Sequence, residues 1–183
     1  MPLEPMPETP TAEPTAAVTL LLAAPRGFCA GVRRAIDAVL GAIAAHGAPV
    51  FVRRAIVHNL AVVRELEAQG AVFVEELSEV PSGAVVILSA HGVRPEIAAE
   101  AHGRGLVVYD AVCPLVAKVH REIERHCREG RRVILIGHRG HPEIEASLGH
   151  APPGAAILVA SLADIAALDL AADTPLALAV QTT

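Results

Sequence analysis

The 183-residue chain is 52% hydrophobic and 19% charged, with a formal net charge of −5. That length suffices for one good core, or for one domain and part of another. The negative balance argues against a nonspecific nucleic-acid binder, which needs a clustered basic surface, and no apolar run reaches the length of a membrane-spanning helix.

The first 17 residues, MPLEPMPETPTAEPTAA, are rich in Pro, Glu and Thr and carry no basic residue. They lack the basic start and longer apolar core of a secretory signal and read as a disordered extension. With three cysteines and no export signal, a cytosolic setting with reduced thiols is expected. Strands are expected at 18–24, 49–52, 71–74, 84–89, 106–109, 132–136, 155–160 and 176–180. Helices are expected at 30–46, 59–69, 95–103, 114–129, 142–149 and 161–168. Short apolar strands alternating with amphipathic segments indicate parallel sheets covered on both faces, an α/β fold. Aromatics are confined to Phe28, Phe51, Phe73 and Tyr109, so the core must be aliphatic.

An internal echo suggests two related α/β units, 18–112 and 113–183. VVILSAHG at 85–92 resembles RVILIGHRGH at 132–141, and the strands at 18–24 and 106–109 run on to Cys29 and Cys113. The chain stops at LALAVQTT, directly after an apolar strand with no covering helix. We read the second unit as incomplete and the chain as truncated there.

The polar residues fall where an open parallel sheet binds ligands, in loops at the carboxyl ends of strands. Cys29, His58, His91, Cys113, His138, His141, Glu143, Gln181, Thr182 and Thr183 all occupy such loops. Cys29 and Cys113 each precede a helix, and Pro114 suits the first helical position. A helix N-terminus stabilises a thiolate, the form that binds soft metals and iron–sulfur clusters. The alternative for each is a small apolar thiol packed under a turn. Cys127 differs, because it continues the face of Val116, Val119 and Ile123 and is expected in the core. His138, His141, Glu143 and Glu145 lie in GHRGHPEIE at 137–145. Neutral His beside a carboxylate suits proton delivery, and several protonatable histidines suit an anionic group such as phosphate. Zinc ligation by His138 and His141 is an alternative. Arg26 and the pair Arg53–Arg54 add positive potential or serve as solvated or stem-packed arginines.

In this order and spacing, PRGFCAGV, VHN, SAHGV, DAVCPLV, KVH, GHRGHPE and the terminal QTT resemble the 4-hydroxy-3-methylbut-2-enyl diphosphate reductases, iron–sulfur enzymes of the methylerythritol phosphate route to isoprenoids. The resemblance covers 18–183. It implies three similar α/β units, of which two are present here, around a 4Fe–4S cluster held by three cysteines. Cys29 and Cys113 fall on two ligand positions. His58, His91, His141 and Thr182 fall on substrate-binding positions, and Glu143 falls on the proton-relaying acid. The implied reaction uses two electrons and two protons to remove an allylic hydroxyl as water, giving isopentenyl and dimethylallyl diphosphates. The partners it implies are a small allylic diphosphate and an external electron donor such as ferredoxin or flavodoxin, with no nucleic acid and no membrane. The third cysteine of that pattern is not matched, since Cys127 sits in a helix where the pattern needs none. The competing reading is a non-catalytic diphosphate- or metal-binding fragment that requires a partner chain.

Overall fold

A computed structural model describes residues 19–182. Strands β1 (Val50–Arg53), β2 (Ala71–Val74), β3 (Val85–Leu88) and β4 (Val107–Asp110) form a sheet of order β2-β1-β3-β4. Strands β5 (Arg132–Ile136), β6 (Ala156–Val159) and β7 (Leu176–Val180) form a second, of order β6-β5-β7. Every pairing is parallel, so each return requires a crossover rather than a hairpin. Helices α1 (Ala30–His46), α2 (Leu60–Ala68), α3 (Pro95–Gly103), α4 (Pro114–Arg128), α5 (Pro142–Gly149) and α6 (Leu162–Ala166) flank the sheets, and a short 3-10 turn at Leu77–Glu79 leads into β3. The fold is α/β, and these elements end within two residues of their expected ends.

The strand expected at 18–24 does not form. Residue 18 lies outside the described residues, and 19–23 take no regular structure. Leu20, Leu21 and Leu22 are 77%, 90% and 65% exposed. An apolar run alone does not make a strand, because its amides need a neighbour to pair with, and no described strand pairs with this one. The expected extension at 1–17 and Thr183 also lie outside the described residues.

Small residues bring α1 close to its sheet. Gly31, Ala35, Val39 and Ala42 recur at helical spacing and are buried, packing into a core with Val50, Val52, Ile56 and Ile87. In the second core, Ile123 of α4 meets Val133, Leu135, Ile144 and Ala177, with Cys127 packed against them. Burying each such Val, Leu or Ile side chain contributes about 1.5–3 kcal/mol. Burial also pushes the Cys127 thiol above its usual range, as expected for a packing cysteine rather than a thiolate.

The two sheets repeat one topology. β1 is flanked by β2 and β3 as β5 is flanked by β6 and β7, and α1 and α4 precede β1 and β5. The structural repeat therefore pairs β1 with β5 and β3 with β7. The sequence echo had paired β3 with β5 through a shared apolar run and His-Gly end, which reflects similar burial rather than similar position. In the structural register His58, just before the N-cap of α2, corresponds to His141, the N-cap of α5, each in the loop after a central strand, and the loop after β3 corresponds to that after β7. Among the described residues no helix is long and apolar enough to cross a membrane.

Candidate active site

The thiols come first. Cys29 is the N-cap of α1, and its Sγ accepts the Val32 N–H at 3.5 Å. Cys113 is the N-cap of α4, with Pro114 at the first helical position. Both are free cysteines. A Cβ placed on Gly31 would lie 2.7 Å from Cys113 Sγ and 3.8 Å from Cys29 Sγ, so the thiols converge over the one residue whose missing side chain leaves room. Their cavity of about 140 Å³ has His58 and His91 on its rim and Val32, Ile56, Val57 and Ala90 as its apolar wall.

Three imidazoles meet beside it. His58 precedes the α2 N-cap Asn59, whose Oδ1 accepts from Ala61 and Val62 N–H. His91 follows β3 and is buried, and His141 is itself the N-cap of α5. The ring centroids lie 4.6, 5.3 and 5.4 Å apart, and His58 Nε2 is 3.2 Å from His141 Nε2. Local bonds orient two rings. Ser89 Oγ donates to Ala55 O and accepts the His91 backbone N–H, so His91 Nδ1, 3.0 Å away, is the donor to that oxygen and Nε2 carries the lone pair. His141 Nδ1 accepts the Glu143 N–H at 3.2 Å, which leaves the proton of the neutral ring on Nε2, facing His58.

Burial, then the neighbouring His58 and His141, push His91 down to about 4; burial and His58 likewise lower His141. The histidines had been expected as a protonatable set, but the structure holds His91 as a neutral imidazole at physiological pH.

Glu143, in the first turn of α5, is fully buried. Its Oε1 accepts the Thr182 backbone N–H at 2.6 Å. Gln181 Oε1 accepts from His138 N, and Gln181 N–H donates to Ile136 O, binding the end of β7 to the loop after β5. His58, His91 and His141 thus come together, with Glu143 close enough to act electrostatically on His91 and His141 and itself bonded to Thr182. His138 does not join the imidazole group, which among the described residues is the only set of three His, Cys, Asp or Glu close enough to share an ion. Arg53 and Arg54 are taken up by acids instead of raising the potential of the crevice. Arg53 is buried and donates to Glu76, while Arg54 donates to Glu145 at 2.9 Å across 91 residues of chain. Arg54 adopts φ 60°, an unusual conformation for a residue other than glycine. Arg26 is exposed and bonds to Ala23 O.

One residue escaped the sequence reading. His120 is buried, has Nε2 without a partner, and stacks on His150 with centroids 4.0 Å apart. Gly92, at φ 76°, rests on it: a Cβ there would clash with His120 Cε1, so the loop carrying His91 is seated on this ring. The signal was present, since Val116, His120 and Ile123 share one helical stripe. Burial and His150 push His120 from 6.5 to about 4.

His91 and His120 give a pH dependence of known sign. In the unfolded chain both rings titrate near 6.5, whereas in the folded chain His91 and His120 titrate near 4. Between those values the unfolded chain binds protons that the folded chain refuses, so stability is whole above pH 6.5 and falls as pH drops toward 4. Each ring accounts for on the order of a few kcal/mol. Urea midpoints measured from pH 7 to 4.5 should fall steadily, and His120→Asn should flatten the slope. An unchanged slope in that variant would remove His120 from the account.

The profile of the LytB protein family matches residues 20–183. The chain is 53% identical over 174 residues to a 4-hydroxy-3-methylbut-2-enyl diphosphate reductase of Bordetella pertussis, covering 94% of this chain and 53% of that one. It is 54% identical over 168 residues to the protein of the same name from Xanthomonas oryzae pv. oryzae, covering 90% and 53%. The solved E-1-hydroxy-2-methyl-but-2-enyl-4-diphosphate reductase of Plasmodium falciparum superposes with TM-score 0.84 at 39% identity, covering 87% of this chain and 50% of that one. A second solved reductase, described as the terminal enzyme of the non-mevalonate pathway, gives TM-score 0.73 at 31% identity, with coverage of 86% and 56%. The chain spans about half the length of the curated relatives it matches.

Proposed function

This chain belongs to the LytB protein family, and from that premise we propose that it carries out the reductive dehydroxylation of 4-hydroxy-3-methylbut-2-enyl diphosphate. The allylic C–O bond breaks, two electrons from an external donor such as ferredoxin or flavodoxin and one proton complete the carbon skeleton, and a second proton carries the oxygen off as water. The products are isopentenyl and dimethylallyl diphosphates. The observation that carries the reading is one cavity lined by two thiols and the rings of His58 and His91, with His141 completing the imidazole group and the buried Glu143 close to His91 and His141.

Two of the three thiols that a 4Fe–4S cluster of this family takes are in place. Two free thiols converge from two helix N-termini over a side-chain-free glycine, beside an apolar wall. Cys29 and Cys113 would hold the group, and Cys127, packed in the second core, would not. When bound, the cluster supplies electrons and Lewis acidity. The chain's own residues do the rest. His58, His91 and His141 receive the anionic diphosphate, whose charge raises the proton affinity of His91 so that its Nε2 takes up a proton and donates, while Ser89 and the Glu143 N–H orient two of the rings. Glu143 in its acid form delivers one of the two protons, its Oε1 held in place by the Thr182 N–H and the group screened from bulk water. The apolar wall keeps competing water from the reacting carbon. We place the enzyme in the cytosol, with units at 18–112 and 113–183.

The histidine assignment is tested by binding. Titration with the substrate should show affinity weakened about tenfold or more in His58→Ala or His91→Ala, since each removes a polar partner of a charged ligand, worth about 1.5–3 kcal/mol. Unchanged affinity in both variants would place the diphosphate elsewhere.

A further inference from the structure

The three imidazoles have a geometry that anion binding does not require. We infer that His58, His91 and His141 form a tridentate site for one borderline divalent cation, Zn²⁺ or Co²⁺, separate from the thiols of Cys29 and Cys113. The inference stands on the ring positions and does not depend on the reductase reading.

Two zinc–nitrogen bonds of about 2.0–2.1 Å meeting at a tetrahedral angle hold their nitrogens roughly 3.3 Å apart. His58 Nε2 and His141 Nε2 lie 3.2 Å apart. One ligand nitrogen from each of the three rings falls within 4.8 Å of the others, so a modest closing movement of His91 completes a three-coordinate face with a fourth position left for water or an anion. His91 enters as a metal-ligating histidine should. Its Nδ1–H is committed to Ser89 Oγ, which orients the ring and leaves the Nε2 lone pair to the ion. Neutral imidazoles are the required form, and the bond to Ser89 Oγ places the His91 proton on Nδ1, away from the ion. An all-imidazole set selects zinc, cobalt, nickel or copper over magnesium and calcium.

His141 is the ligand that must change. Its Nε2 proton moves to Nδ1 as the Nε2 lone pair goes to the ion, and the Glu143 N–H loses its acceptor. Metal loading therefore disturbs the first turn of α5, where Glu143 sits, with no net proton released from His141. The ion occupies the same ring nitrogens that face the crevice and closes it to other ligands.

The test is anaerobic titration of the iron-free chain with cobalt chloride. The expected result is one Co²⁺ per chain, with the intense visible bands of a four- or five-coordinate ion. The Cys29→Ser/Cys113→Ser double variant should bind it equally well and show no near-ultraviolet thiolate charge-transfer band. His58→Ala and His141→Ala should each weaken binding by at least about 100-fold, the upper end of what losing an outer-shell partner alone costs. Magnesium chloride should not compete. Circular dichroism checks that each variant folds, and His58→Gln serves if the alanine variant does not. Binding that survives the histidine changes but disappears in the double cysteine variant would assign the ion to the thiols and overturn the inference, as would a failure of cobalt to bind at all.

Discussion

Glu143→Gln should reduce turnover by about 10²–10⁴-fold, the usual loss when a positioned proton donor is removed, while substrate affinity changes by less than about threefold. The assay requires a chain of the relatives' length, made by joining this one in frame to the C-terminal half of the Bordetella pertussis reductase. Glutamine preserves the shape of the buried side chain, and its amide oxygen still accepts the 2.6 Å bond from Thr182 N–H. An effect on the rate at saturation, with binding retained, marks an interaction made in the chemical step rather than in the ground state. His58→Ala should show the opposite split, with binding hit harder than the rate. If Glu143→Gln weakened binding and left turnover intact, Glu143 would be shaping the pocket rather than moving protons.

Local chemistry was readable from the sequence, and long-range pairing was not. Cys29 and Cys113 announce themselves as helix N-caps because glycine and proline punctuate the chain beside them. The stripe Ala35, Val39 and Ala42 reports a buried helix face through its spacing alone. By contrast, nothing local says that Arg54 will reach Glu145, or that His58 will lie 3.2 Å from His141, 83 residues away. Those contacts depend on how one sheet packs against the next. The run at 18–24 misled because hydrophobicity reports what a segment would bury, and a strand also needs a pairing edge. His120 was overlooked for the reverse reason. A histidine inside an apolar stripe resembles a satisfied core residue until its unpartnered Nε2 and its contact with the Gly92 turn are seen.

The largest expected effect belongs to the thiols. In the joined chain, Cys29→Ser or Cys113→Ser should abolish the visible iron–sulfur absorption and turnover together. Cys29 is exposed, so in the iron-free chain its substitution should shift stability by no more than about 0.5 kcal/mol. Cys127→Ala should keep the cluster and cost about 1 kcal/mol through lost packing, because that side chain packs against the apolar cluster of Ile123, Val133, Leu135, Ile144 and Ala177. This chain alone, reconstituted without oxygen, should form little stable cluster from two thiolates. The deciding measurement is iron and acid-labile sulfide content, read beside product formation, for the joined chain and its three cysteine variants. The account predicts a full 4Fe–4S complement and both isoprenoid diphosphates from the parent and Cys127→Ala, and neither from Cys29→Ser or Cys113→Ser. Retention of cluster and products in Cys29→Ser and Cys113→Ser, with their loss in Cys127→Ala, would contradict it.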